Sequence, residues 1–121
     1  MDGSEIISNH SILATDVWSM INNGRSPQLI DVRRRELFDA TTGIIPGSVW
    51  RDMATLPTWI GHLDPQRPVI VVCAHGHERS QGTTERLREA GLSACFLEGG
   101  YEAWDNANLP FEAKAQRRAA P

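Results

Sequence analysis

The run Pro-Val-Ile-Val-Val-Cys at positions 68–73 constrains the fold of this chain more than any other feature. Four consecutive residues are branched at Cβ, so the segment favours an extended strand. It is apolar at every position rather than at alternate ones, which places it in a sheet covered on both faces. Around it, strand-like and helix-like segments alternate. Gln28–Val32 and Ser93–Gly100 read as further strands. Thr15–Gly24, Ser80–Gly91 and Tyr101–Ala107 read as helices, the first capped by Thr15 and stopped by Gly24. Arg33–Ala40 reads as a short helical turn. Thr41–Val49 reads as a Gly- and Pro-containing loop into a short strand, and Met53–Leu63 as weak helical turns interrupted by Pro57. This alternation predicts an α/β domain with a central parallel β-sheet covered by helices on both faces. In such sheets ligands bind beyond the carboxyl ends of the strands.

The 121 residues suit one domain spanning 1–121, with a core over about 12–111. The tail 112–121 lacks apolar anchors and is expected to be flexible. A formal charge of −3 gives no reason to expect nucleic acid or an anionic membrane as partner. No apolar run approaches the about 20 residues that span a bilayer. The first residues show no basic patch followed by an apolar stretch, so no signal peptide is expected. Two cysteines are too few for a disulfide scaffold, and a reducing cytoplasm is the expected location.

The chemistry lies just past the central strand. The loop Ala74-His75-Gly76-His77-Glu78-Arg79-Ser80 leads from Cys73 into the next helix. A strand-to-helix loop gathers backbone N–H groups into one concavity, and the helix dipole adds positive potential there. A thiolate at that point is stabilised, and Arg79 adds a charge. Three readings of Cys73 compete: a nucleophile, a metal ligand with His75 and His77, and an inert buried thiol. The tight spacing of the three side chains argues against metal. Position at a strand end before a glycine loop favours the nucleophile. His75 and His77 read either as solvated loop residues or as groups that tune the thiolate and steer anions. Arg79 reads as an anion ligand. Glu78 reads as a solvated first-turn acid, with proton donation as the sharper alternative. Asp31 and Arg33 read as a supporting pair near the site, and the run Arg33–Arg35 as a solvated face. Cys95, inside Ala-Cys-Phe-Leu, reads as core filler. Trp18, Trp50, Trp59 and Trp104 read as packing residues. No cofactor motif is present.

Four elements in order resemble the single-domain rhodaneses. They are Leu-Ile-Asp-Val-Arg at 29–33, Gly-Ile-Ile-Pro-Gly-Ser at 43–48, the 68–80 strand and loop, and Leu-Glu-Gly-Gly-Tyr-Glu-Ala-Trp at 97–104 followed by Leu109–Phe111. Ile44 stands where that family usually has histidine. The resemblance implies that Cys73 takes a sulfane sulfur from thiosulfate or a persulfide donor. Cys73 would hold it as a persulfide and pass it to a thiol, free or on a protein, or to cyanide. The loop departs from the sulfurtransferase pattern. Five residues rather than four separate Cys73 from Arg79, as in phosphatases and arsenate reductases of the same fold. A wider ring of donors suits a tetrahedral oxyanion, and Arg79 could then fork onto two oxygens. Sulfur transfer is the leading expectation. A thiolate phosphatase or arsenate reductase and a non-catalytic sulfur carrier are the alternatives.

Overall fold

The structure, a computed structural model, describes residues 10–25 and 27–114. Its elements in chain order are β1 (Ser11–Ile12), α1 (Ala14–Asn22), β2 (Gln28–Asp31), α2 (Arg35–Ala40), β3 (Gly43–Ile44) and β4 (Val49–Trp50). Short helical turns cover Met53–His62, with α3 (Leu56–Trp59) among them. Then come β5 (Val69–Val72), α4 (Glu78–Glu89), β6 (Ala94–Leu97), α5 (Gly100–Asn106) and β7 (Glu112–Ala113).

Among the described residues five strands form one sheet in the order β1-β6-β5-β2-β4, and every pairing in it is parallel. β5 lies in the middle, and all four of its residues are buried. Side chains alternate across a strand, so its apolar run feeds two cores at once. Val69, Val71 and Cys73 pack with Ile30, Trp59, Leu87 and Phe96 on one face. Ile70 and Val72 pack with Val17, Leu29, Ile45, Leu97 and Trp104 on the other. Helices cover both faces, as a continuous apolar strand requires.

Several local expectations are corrected. Helix α1 starts after Leu13, with no side-chain cap, so Thr15 lies inside it. Helix α4 begins at Glu78, two residues before the expected Ser80, because the loop closes on itself earlier. Glu112–Ala113 is not frayed: it pairs antiparallel with β3, and the Glu112 carboxylate accepts from Gly47 N–H at 2.8 Å. Lys114 donates to Phe38 O at 2.9 Å, and residues 115–121 lie outside the described residues. Of the tryptophans, Trp59 and Trp104 are buried, while Trp18 and Trp50 are half-buried. No helix among the described residues is long and apolar enough to cross a membrane.

Candidate active site

Cys73 is the first residue past the carboxyl end of the central strand, and it is only 4% exposed. The chain must leave the sheet there and enter α4 within a few residues. It turns at Gly76, whose φ of 73° lies in the left-handed region. A Cβ at Gly76 would sit 2.6 Å from Gly99 N and 3.0 Å from Leu97 O, so space as well as φ demands glycine. The turn brings Gly76 N–H onto Cys73 Sγ at 3.2 Å. Ser80, in the first turn of α4 and fully buried, places its Oγ 3.1 Å from the same sulfur. The thiol donates to that oxygen; once ionised, the sulfur can accept the Ser80 O–H instead.

The opposite wall of the loop is the Gly99–Gly100 turn ahead of α5. Gly100 has φ 63°, and a Cβ there would lie 2.3 Å from Cys73 O. The first N–H groups of α5 take the loop's carbonyls: Tyr101 N donates to Cys73 O at 2.8 Å and Glu102 N to Ala74 O at 3.1 Å. The peptides are trans. Turning those two carbonyls toward α5 therefore turns the N–H groups of Ala74 and His75 the other way. The loop presents donors on its inner side, and the N-terminus of α4 adds to them.

Cys73 lies at the floor of a cavity of about 410 Å³. Its walls carry Arg33, Arg34 and Arg79, the imidazoles of His75 and His77, the single acid Glu78, and the apolar Leu37. Cations outnumber the acid, so the cavity draws anions. Arg79 donates its Nε to Val32 O at 2.9 Å, which anchors the guanidinium on the wall of the same cavity. Glu78 is exposed at the mouth.

Asp31 and Arg33 form a buried pair, each 2% exposed. Arg33 donates Nε to both carboxylate oxygens at 3.1 Å, a terminal nitrogen to Oδ2 at 2.9 Å, and its backbone N–H to Oδ1 at 3.0 Å. Its guanidinium also stacks 4.0 Å from the centre of the Tyr101 ring. Arg33 therefore does not belong to a solvated face with Arg34 and Arg35, which are exposed. The charge run concealed one buried member that braces the cavity wall.

Cys95 lies on β6, packed against the second core. Burial raises its pKa from 9.0 to about 11, a rise that Arg88 partly opposes. A thiol held neutral is a poor nucleophile. Ile44 pairs with Glu112 in the two-stranded ribbon and is not among the cavity walls. Among the described residues no group of three or more His, Cys, Asp and Glu is arranged to hold a metal ion.

Of the residues singled out in the sequence, Cys73, Ala74, His75, His77, Glu78, Arg79 and Arg33 line one cavity. Gly76 and Ser80 hold the sulfur from behind, and Asp31 holds Arg33. Sequence reasoning missed Arg34 and Leu37 on the wall, and Tyr101 and Glu102 behind the loop. The Gly-Gly pair was legible only as a turn, although it is the surface against which the loop is folded.

Comparison with known proteins bears on the family and the fold. Residues 13–107 match the model of the rhodanese-like domain. The chain is 32% identical over 103 residues to thiosulfate sulfurtransferase GlpE of Shewanella oneidensis, covering 84% of this chain and 99% of that one. A rhodanese-like domain protein from Staphylococcus aureus superposes with a TM-score of 0.73 at 28% identity, over 87% of this chain and 98% of that one. A thiosulfate sulfurtransferase from Pseudomonas aeruginosa does so with a TM-score of 0.75 at 30% identity, over 88% of this chain and 21% of the longer one. By sequence and by fold together, the chain belongs to the family of rhodanese-like domains.

Proposed function

We propose that the protein is a sulfurtransferase that carries sulfane sulfur on Cys73. The observation that carries this reading is the sulfur atom itself, held by Gly76 N–H and beside Ser80 Oγ at the floor of an arginine-walled cavity. In the first half-reaction the Cys73 thiolate attacks the outer sulfur of thiosulfate. The S–S bond of thiosulfate breaks and sulfite leaves with the electron pair. The inward N–H groups of the loop and the α4 dipole stabilise the anionic persulfide that remains. Arg34 and Arg79 offset the charge of the oxyanion end, while Arg33 is already paired with Asp31. In the second half-reaction a thiol or cyanide removes the outer sulfur. The natural acceptor is a small thiol or a protein thiol. Two free cysteines suit a reducing compartment such as the cytoplasm. The thiol needs no cofactor for this chemistry.

A second reading rests on Arg79, which is separated from Cys73 by five residues and shares its cavity. That arrangement suits attack on a phosphate or arsenate held by Arg79, with Glu78 as proton donor. The sulfurtransferase reading is preferred because Gly76, third after Cys73, donates directly to the sulfur. If the domain is a carrier rather than an enzyme, Cys73 loads but discharges slowly without its partner protein.

Intact mass spectrometry after mixing with thiosulfate tests the proposal. A one-sulfur gain, absent in Cys73→Ser and discharged by cyanide as thiocyanate, is expected. No gain in a protein whose Cys73 still alkylates, together with turnover of an aryl phosphate or of arsenate, would sink sulfur transfer in favour of the oxyanion reading.

A further inference from the structure

His75 is the loop side chain with a built support. Its Nδ1 lies 2.9 Å from Glu102 Oε1. Glu102 is doubly committed to the loop, since its backbone N–H also donates to Ala74 O, one residue before the histidine. These two bonds tie the imidazole to α5 beside the loop that carries Cys73. Glu102 takes the Nδ1–H, so the neutral ring carries its lone pair on Nε2. His75 and Cys73 line the same cavity. A base oriented by a carboxylate beside a sulfur nucleophile is an arrangement that moves protons. His77, by contrast, makes no side-chain hydrogen bond among the described contacts; its ring centre lies 6.1 Å from that of His75.

Resting on the sulfurtransferase reading, we infer that His75, held by Glu102, is the general base that deprotonates a thiol acceptor as it attacks the Cys73 persulfide. The acceptor R–SH enters the cavity and gives its proton to His75 Nε2. The new thiolate attacks the outer sulfur of Cys73–S–S⁻. The bond between the two sulfurs breaks, and the electron pair leaves on Cys73 Sγ. The products are R–S–S⁻ and the Cys73 thiolate, with the proton on His75 until it passes to solvent. No oxidant or reductant enters. Glu102 of α5 pairs with His75, and the charged or titratable side chains that share its cavity are His77, Glu78, Arg34, Arg79 and Arg33, the last paired with Asp31. The arginines favour an incoming anion, and Glu102 offsets the charge that His75 gains on protonation. Glu102 touches no reacting atom and is a positioning residue.

The side chains of His75 and Glu102 are 59% and 60% exposed, so their pairing contributes little to stability and variants at either position fold. The test compares two acceptors on protein first loaded with sulfur from thiosulfate. 2-Nitro-5-thiobenzoate is already ionised at neutral pH and needs no base; 2-mercaptoethanol is mostly protonated and does. Single-turnover discharge is followed by mass for wild type, His75→Gln, Glu102→Gln and His77→Gln. A general base contributes about 10²–10⁴-fold. The rate ratio of mercaptoethanol to nitrothiobenzoate is expected to fall at least tenfold in His75→Gln, less in Glu102→Gln, and not in His77→Gln. Loss of loop order alone would slow both acceptors together and leave the ratio where it was. An unchanged ratio in a His75→Gln protein that loads normally overturns the base assignment and leaves sulfur transfer standing. Failure of wild type to load with sulfur overturns both.

Discussion

Gly100→Ala tests whether the glycine turn before α5 positions Cys73. The same substitution at Gly82, in the middle of α4, supplies the control. At Gly100 the backbone is left-handed, which costs an L-residue about 1–2 kcal/mol. The added methyl would also meet Cys73 O at 2.3 Å and Ala74 C and O at 2.7 Å, all backbone atoms. Relief to 3.0 Å requires the loop and α5 to part by 0.7 Å. That motion stretches the bonds from Tyr101 N to Cys73 O and from Glu102 N to Ala74 O, worth about 1 kcal/mol each. Against this stands roughly 0.4–1 kcal/mol from the stiffer unfolded chain. The net is a loss of roughly 2–4 kcal/mol from a stability of about 5–15 kcal/mol for a domain of this kind. Gly82 is helical, and a Cβ there meets nothing within 4 Å. Alanine at that position should add roughly 0.5–1 kcal/mol. Urea unfolding measures both values, and stopped-flow sulfur loading from thiosulfate measures the site. A misplacement near 1 Å costs about 10²-fold in rate, so loading in folded Gly100→Ala should slow tenfold or more, with Gly82→Ala unaffected. If Gly100→Ala loses stability but loads at the wild-type rate, the turn does not position the sulfur. If both variants shift stability alike, the steric argument is wrong.

Other perturbations separate the remaining interactions. Asp31→Ala strands the Arg33 charge in the interior and should cost about 3–5 kcal/mol in urea unfolding. The double variant Asp31→Leu/Arg33→Met should cost clearly less than the two single changes summed. Ser80→Ala removes the oxygen 3.1 Å from the reactive sulfur. Hydrogen bonds to charged groups contribute roughly 1.5–3 kcal/mol, so single-turnover loading should slow about tenfold or more, and an unchanged rate would remove Ser80 from the mechanism. The pKa of Cys95 rises from 9.0 to about 11 on folding, so above pH 9 the unfolded chain sheds this proton more readily than the native one. Stability should therefore fall between about pH 9 and pH 11, and Cys95→Ala should lack that part of the decline when the two are titrated with urea in parallel.

Long, locally determined elements were legible in the sequence. The apolar run of β5 identifies a central strand because each residue individually favours burial, and Cys73 follows from its place at the strand's end. Of the two-residue strands, β4 was legible as the short strand after the 41–49 loop, whereas β1, β3 and β7 were not. Glu112–Ala113 has no apolar pattern, and its pairing depends on Gly43–Ile44, far earlier in the chain. Arg33 was rightly paired with Asp31, but its place in a solvated run was misread for the same reason. Charge is visible locally, whereas its burial depends on Asp31 alongside and on Tyr101 far along the chain. The loop's chemical residues were visible as letters. The partners that turn its donors inward, Tyr101, Glu102 and the left-handed Gly100, become meaningful only once α5 is seen against the loop.

The edge strand β1 has a consequence for how the chain is made. Its hydrogen bonds are to β6: Phe96 N donates to His10 O and Glu98 N to Ile12 O. A ribosome adds about 5–20 residues per second, so the interval between synthesis of these partners is about 4–17 s. For the later part of that interval α1 and β2 have been made, with apolar surface and no β6 to complete the sheet. Completion of the domain is therefore gated by translation rather than by local folding, and pauses between the codons for β2 and β6 should lengthen the window in which the nascent chain is prone to aggregate.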